Sequence, residues 1–269
     1  MLLLVFDYSG DMALDVFYTL LTAGEALSVS SSIALIVASF FTSLITATLG
    51  IGGGVLLLAI LASSVPINVL IPVHGLVQLG SNGNRALMTA RHVDRSIVAF
   101  FGIGAVLGSV LASFIVVQLP LIFIQIAVAG FILLMVWGAK PKAQELSPLG
   151  RAIAGCLTTI ISMFVGATGP LVAAFVHRSV DDKMRITATL ATCMTIQHGL
   201  KAFVFLIVGF SFSQWVGVIV AMVASGALGT FVGLKMLKRV PNGAFVWLFK
   251  VVITLLAIRL LWQAFNSLN

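Results

Sequence analysis

Two cationic side chains, Arg85 and Lys201, lie inside apolar stretches, and each belongs to a run of polar residues at helical spacing. His74, Gln78, Ser81, Asn82, Arg85 and Thr89 recur at steps of three and four, so a helix carries them as one stripe. Thr192, Thr195, His198 and Lys201 recur every three residues, with Gln197 beside them. Polar groups inside a membrane span face a cavity or the interior of the helix bundle, and an ammonium there costs about 3 kcal/mol on insertion scales. All eight carboxylates, by contrast, lie in the amino-terminal segment or between the apolar stretches: Asp7, Asp11, Asp15, Glu25, Asp94, Glu145, Asp181 and Asp182. The stripes therefore offer donors and cations, which suit an anion. Each residue also has a plainer reading. Arg85 can snorkel toward Arg91, Lys201 can do so toward the opposite face, His74 can be interfacial beside Pro72, and His198 can be a satisfied core histidine.

The second feature with chemical potential is backbone. Gly50, Gly52, Gly53 and Gly54 fall within five positions, and glycine costs roughly 1 kcal/mol per site against alanine in a helix. The flanks are apolar enough for lipid, so the break must bury its unpaired N–H and C=O groups in protein or spend them on a ligand. A weaker break sits at Gly166, Thr168, Gly169 and Pro170, where proline suits a first helical position. A helix restarting after such a break aims unpaired N–H groups and about half a positive charge at the membrane centre, a ready site for an oxyanion. Close helix packing is the alternative use of these glycines.

The elements that must position these groups follow from composition. The chain of 269 residues is 60% hydrophobic and 9% charged, with mean hydropathy +1.18, against about 45–50% and 25% in soluble domains. It reads as an integral membrane protein with its chain in the lipid bilayer. The net charge of +7 then serves as a topology signal, and nucleic acid is not an expected partner. Cys156 and Cys193 lie in apolar runs and read as structural, no His and Cys stand at metal-ligand spacing, and neither a metal nor a cofactor is expected.

Apolar segments cover 33–63, 69–90, 96–118, 120–139, 151–177, 186–209, 213–234 and 243–264. Sliding the chain by 116 residues brings Gly50 onto Gly166, Gly53 onto Gly169, Gly83 onto Gly199 and Arg85 onto Lys201; sliding it by 121 brings Leu107-Gly108-Ser109 onto Leu228-Gly229-Thr230 and Pro120 onto Pro241. If all eight segments cross, loop Lys and Arg divide five against six between the two faces. If 33–63 and 151–177 each turn back at their glycines, all eleven share one face, as cytoplasmic loops do. The expected fold is therefore all-α, with two inverted repeats, each a glycine-broken re-entrant helical hairpin plus three transmembrane helices. Its parts are an acidic extracytoplasmic lead-in at 1–32, a first membrane repeat at 33–139, a cytoplasmic linker at 140–150 and a second repeat at 151–269. Eight full spans with kinks at the glycines is the alternative.

Gly50-Ile51-Gly52-Gly53-Gly54, the second break at Gly166-Ala167-Thr168-Gly169-Pro170, the basic loop Arg91-His92-Val93-Asp94-Arg95 and the two related halves resemble the sulfite exporter TauE/SafE family over roughly 33–264. The resemblance implies a multi-pass carrier of the bacterial plasma membrane that exports sulfite or a short organosulfonate such as sulfoacetate. The second break departs from the glycine-rich pattern at Thr168 and Pro170. With the polar stripes, the expected substrate-binding set is Gly50, Gly52, Gly53, Gly54, Asn82, Arg85, Gly166, Thr168, Gly169, Gln197, His198 and Lys201, with no catalytic residue and a homodimer left open. An anion channel with the same lining is a second reading, and an intramembrane enzyme using Cys156 or Cys193 with His198 a third.

Overall fold

The structure, a computed structural model, describes residues 3–50, 52–116, 121–138, 146–180, 182–237 and 243–266. Among them are eleven α-helices: α1 (Leu3–Leu21), α2 (Val29–Leu49), α3 (Gly53–Ala62), α4 (Ile67–Met88), α5 (Arg95–Val116), α6 (Leu121–Trp137), α7 (Pro148–Val165), α8 (Gly169–Ser179), α9 (Lys183–Ile207), α10 (Val216–Met236) and α11 (Gly243–Asn266). The protein is an all-helical integral membrane protein. Among the described residues, five stretches are long and apolar enough to cross a bilayer by length and composition: Val29–Leu49, Arg95–Ile115, Pro148–Val165, Lys183–Ile207 and Ser213–Met236. Helix α4 is as long, but its polar stripe lowers its hydropathy. Large apolar side chains such as Leu107, Phe114, Phe203, Leu228 and Phe231 point outward, as lipid-facing residues do.

The two apolar segments that carry the glycines each form a long helix, a sharp break and a short helix. Ser28 caps α2 by accepting the Ser31 N–H at 3.1 Å. The helix runs to Leu49 and ends where Gly50 adopts φ 83°, a left-handed geometry suited to glycine, with its N–H on Thr46 O at 2.9 Å. Gly52, at φ 105°, completes the reversal. Helix α3 then folds back against α2 so closely that a Cβ on Gly53 would lie 1.8 Å from Thr42 O. In the second half Ser147 caps α7, Gly166 at φ 88° ends it, and α8 restarts at Gly169 with Pro170 in its first turn. The arms are unequal, 21 against 10 residues and 18 against 11. The reason is local: polar Ser28, Ser30 and Ser31 start α2 upstream of its apolar segment, so the first arm is long enough to span although the chain reverses after it.

Helix order across the bundle interleaves the halves. Helix α10 lies along α2 in parallel, with Gly226 on Ser39 and Ser43, Gly229 on Phe40, and Gly233 on Leu44 and Ala47. Helix α5 lies along α7 in parallel, with Gly104 on Ala152 and Gly108 on Cys156. Helices α4 and α9, which carry the two polar stripes, pack antiparallel: Gly75 meets Lys201, Gly199 meets Leu79, and Gly83 meets Thr195. Small residues at these seams let backbones approach, the usual device of membrane helices.

Contacts at the helix ends sort the loops into two groups. Asp94 accepts from Arg185 at 3.3 Å and from the Ile97 N–H at 3.1 Å, while the Asp94 N–H donates to Thr189 Oγ1 at 2.9 Å. Arg151 Nη1 donates to Ser96 Oγ at 3.2 Å. The loops bearing Arg91, Arg95, Arg151, Lys183 and Arg185 thus share one end. At another, Gln214 Nε2 donates to Ala23 O at 2.6 Å, joining the start of α10 to the segment before α2. The amino-terminal lead-in contains α1, which touches α10 where Leu20 meets Gly217. The linker from Lys140 to Glu145, the turn Gln118-Leu119-Pro120, Asp181, Lys238, Arg239, Pro241 and the side chain of Arg178 lie outside the described residues.

Candidate functional site

Both breaks open onto one cavity of about 30 Å³. The first half contributes Thr46, Gly50, Gly52, Gly54 and Val55 from its break; the second contributes Ala167, Gly169 and Pro170. Helix α4 supplies His74, Gln78, Asn82 and Arg85, and helix α9 supplies Leu190, Met194 and His198. Adding 116 to 74, 78 and 82 gives 190, 194 and 198, so the same positions of the two halves line it. Their chemistry differs, however: the α4 wall is polar and the α9 wall largely apolar.

The polar wall is a directed chain of hydrogen bonds. Arg85 Nη2 donates to Asn82 Oδ1 at 2.5 Å, and Asn82 Nδ2 donates to Gln78 Oε1 at 3.0 Å and to the Gln78 carbonyl at 2.8 Å. The chain uses up the amide oxygens and leaves donors at its ends. Gln78 turns its Nε2 toward Gly54, and Arg85 Nη1 is buried with no protein partner. Arg85 is 2% exposed and does not snorkel to the membrane surface. A guanidinium is charged under all ordinary conditions, and no carboxylate stands among the described lining residues. His74 donates from Nε2 to Gly54 O at 3.0 Å. The rings of His74 and His198 meet edge to face, 6.0 Å between centroids.

Helix starts add to this positive character. Neither Gly52 before α3 nor Thr168 before α8 gives a side-chain cap; in α8 Pro170 has no N–H and the Leu171 N–H is bonded to Thr168 O at 2.9 Å, so that helix start brings the Gly169 N–H to the cavity. A Cβ on Gly169 would meet nothing within 4 Å. The position is open toward the space that a ligand would occupy.

The expected binding residues divide between the cavity and the scaffold around it. Gly50, Gly52, Gly54, Asn82, Arg85, Gly169 and His198 line the cavity. Gly53 faces α2 instead. Thr168 Oγ1 donates to Gln197 Oε1 at 2.5 Å, and Gln197 Nε2 donates to Thr158 and Thr159 at 3.2 and 3.1 Å, which locks the second break onto α7 and α9. Lys201 Nζ donates to Gly166 O at 2.8 Å and is absent from the cavity wall. It meets the buried Gly166 carbonyl at the end of α7, where a cation complements the helix dipole. His74 and Gln78, members of the α4 stripe, and the apolar pair Leu190 and Met194 complete the lining. The stripe pattern pointed to the first two, whereas nothing in a run of apolar residues distinguishes Leu190 or Met194.

Cys193 is fully buried in a cluster with Phe101, Phe175 and Met194 and does not itself line the cavity. Among the described residues, no group of three or more His, Cys, Asp or Glu is placed to hold a metal ion.

These features define a multi-pass membrane protein with a cavity, polar along its α4 wall, where two broken helices meet. The family model for the sulfite exporter TauE/SafE matches residues 35–260, and the chain belongs to that family, a family of transporters. Neither the curated proteins nor the solved structures yield a match to the chain.

Proposed function

We propose that the protein exports sulfite, or a comparably small sulfonate, across the bacterial plasma membrane, binding it in the cavity between the two breaks. The observation that carries this reading is Arg85: a buried guanidinium whose Nη1 has no protein partner, in the wall of a cavity free of described carboxylates. A buried charge is costly unless paired, and an oxyanion would pair it through charge-assisted hydrogen bonds. The uncapped starts of α3 and α8 supply further N–H donors from both halves. Size favours the smaller ligands, since 30 Å³ corresponds to about two water-sized spheres. Sulfite fits that space more closely than the longer sulfoacetate. The interior-negative potential drives anions outward by about 2.3 kcal/mol per charge at 100 mV, which agrees with export.

The same reading includes an inverted repeat. Gly83 on Thr195 and Leu79 on Gly199 are reciprocal contacts under the shift of 116, and reciprocal contacts between antiparallel equivalent helices are what a two-fold axis in the membrane plane gives. The hairpins α2–α3 and α7–α8 then come in from opposite faces. Thermal unfolding of purified protein against sulfite, thiosulfate, sulfate, sulfoacetate, taurine and acetate tests the assignment, because a ligand bound only by folded protein raises the apparent melting temperature. Sulfite is expected to give the largest shift, and no shift with any of the six would overturn the proposal.

A further inference from the structure

We propose that the anion cavity also binds a proton, shared between His74 Nδ1 and an oxygen of the anion, so that anion and proton load and move together. This rests on the reading of the cavity as an anion site. His74 is 0% exposed and lines the cavity. Its Nε2 faces the Gly54 carbonyl, which can only accept, so that nitrogen carries the proton of the neutral ring. Nδ1 is then a lone pair, and it is buried with no protein partner. An anion oxygen also presents only lone pairs, so the two repel unless a proton lies between them. That proton satisfies both atoms, whether its bond is counted to nitrogen or to oxygen. It comes from solvent when the anion binds and returns there when the anion leaves.

The charges around His74 support mutual loading. On its own helix, Arg85 lines the same cavity. Across the seam, α9 brings His198, whose Nδ1 is likewise buried without a partner, and Lys201, whose Cδ would lie 2.8 Å from a Cβ on the adjacent Gly75. Helix α3 has no titratable group, the described residues of α2 and α6 have none, and α10 has only Lys235, in its last turn. Helix α7 adds Arg151, bonded at its first turn to Leu146 O and Ser96, and Cys156, packed on Gly108. From the second break come only Ala167, Gly169 and Pro170. The neighbours are cations or neutral groups, with no described carboxylate to hold a proton in the anion's place. The anion supplies the countercharge for the proton, and the proton gives the anion a donor. By linkage each must raise the affinity for the other.

Calorimetric titration of the full-length protein with sulfite tests this in mildly alkaline solution, where free sulfite is the dianion. Repeating the titration in buffers of different ionisation heat gives the number of protons taken up. The expected result is about one proton per bound anion in the wild type, and uptake near zero with weaker binding in His74→Gln. Binding without proton uptake in the wild type overturns the coupling and leaves the anion site standing. Equal uptake in wild type and His74→Gln overturns the assignment to His74. Absence of sulfite binding overturns both readings together. Wild-type proteoliposomes give a readout that does not depend on the variant folding. At zero membrane potential, acidifying one side should drive sulfite to the other faster than in protein-free vesicles, and equal rates would overturn the proposal.

Discussion

At the scale of single residues, Arg85 and Lys201 occupy the same place in the two halves and do different work. Arg85 keeps one guanidinium nitrogen without a protein partner beside the cavity, while Lys201 spends its ammonium on Gly166 O. Arg85→Met is therefore expected to abolish measurable sulfite binding, a loss of at least about tenfold for a buried charge-assisted contact. Lys201→Met should leave affinity within about threefold, because no cavity-lining atom changes. Its stability is a contest between two terms. The Gly166 carbonyl loses a donor, worth about 1–3 kcal/mol, but removing a desolvated ammonium relieves several kcal/mol. The second term is larger, so the Lys201→Met melting temperature should equal or exceed the wild-type value. Titration and thermal unfolding of the two variants check both statements, and loss of binding in Lys201→Met alone would return that residue to the site. The sequence made the cost of an intramembrane lysine legible, but not its partner. A carbonyl freed by a positive-φ glycine 35 residues away is a property of the folded backbone.

At the scale of elements, the two breaks were legible because glycine density and proline position are local signals. Which face each glycine presents was not, since that depends on where α3 packs. Gly53 and Gly169 are equivalent at the shift of 116, yet a Cβ at Gly53 would collide with Thr42 O while one at Gly169 would meet open space. Gly53→Ala is thus expected to prevent α3 from closing on α2 and to remove the protein from the membrane. Gly169→Ala should fold, and gain about 0.4–1 kcal/mol because the unfolded chain loses freedom at a position that is helical in the native state. Its added methyl narrows the cavity, so sulfite affinity should fall while the melting temperature rises. Membrane abundance, unfolding and titration of the pair separate these outcomes. Normal abundance of Gly53→Ala would show that the hairpin tolerates displacement. Starts and ends of most other helices agreed with the sequence reading to within a few residues, because apolar runs mark them. The long first arm was less visible, as its leading serines resemble a loop until Ser28 caps them.

At the scale of the whole molecule, the question is which loops share a face of the membrane. The ion pair of Asp94 with Arg185 and the bond from Arg151 to Ser96 bring the basic loops of both halves to one end. Helix α10 runs parallel to α2 and begins beside Ala23, so Lys235 lies at the opposite end of the bundle from that segment. Val65, between α3 and α4, shares a buried cluster with Ala23 and Leu27, which precede α2, and with Trp215, which precedes α10. Positive charge concentrates on cytoplasmic loops. Single cysteines at Arg91, Arg151 and Lys235, introduced after Cys156→Ser and Cys193→Ala, should therefore react with an impermeant thiol reagent only in inverted vesicles. Cysteines at Ser64 and Ser213 should react in intact cells. This pattern requires an odd number of crossings per half and hairpins that return to the face they left. Labelling of Lys235→Cys from outside would break that requirement: the glycine stretches would then be kinks in eight full spans, and the two helix starts could not approach one anion from opposite faces of the membrane.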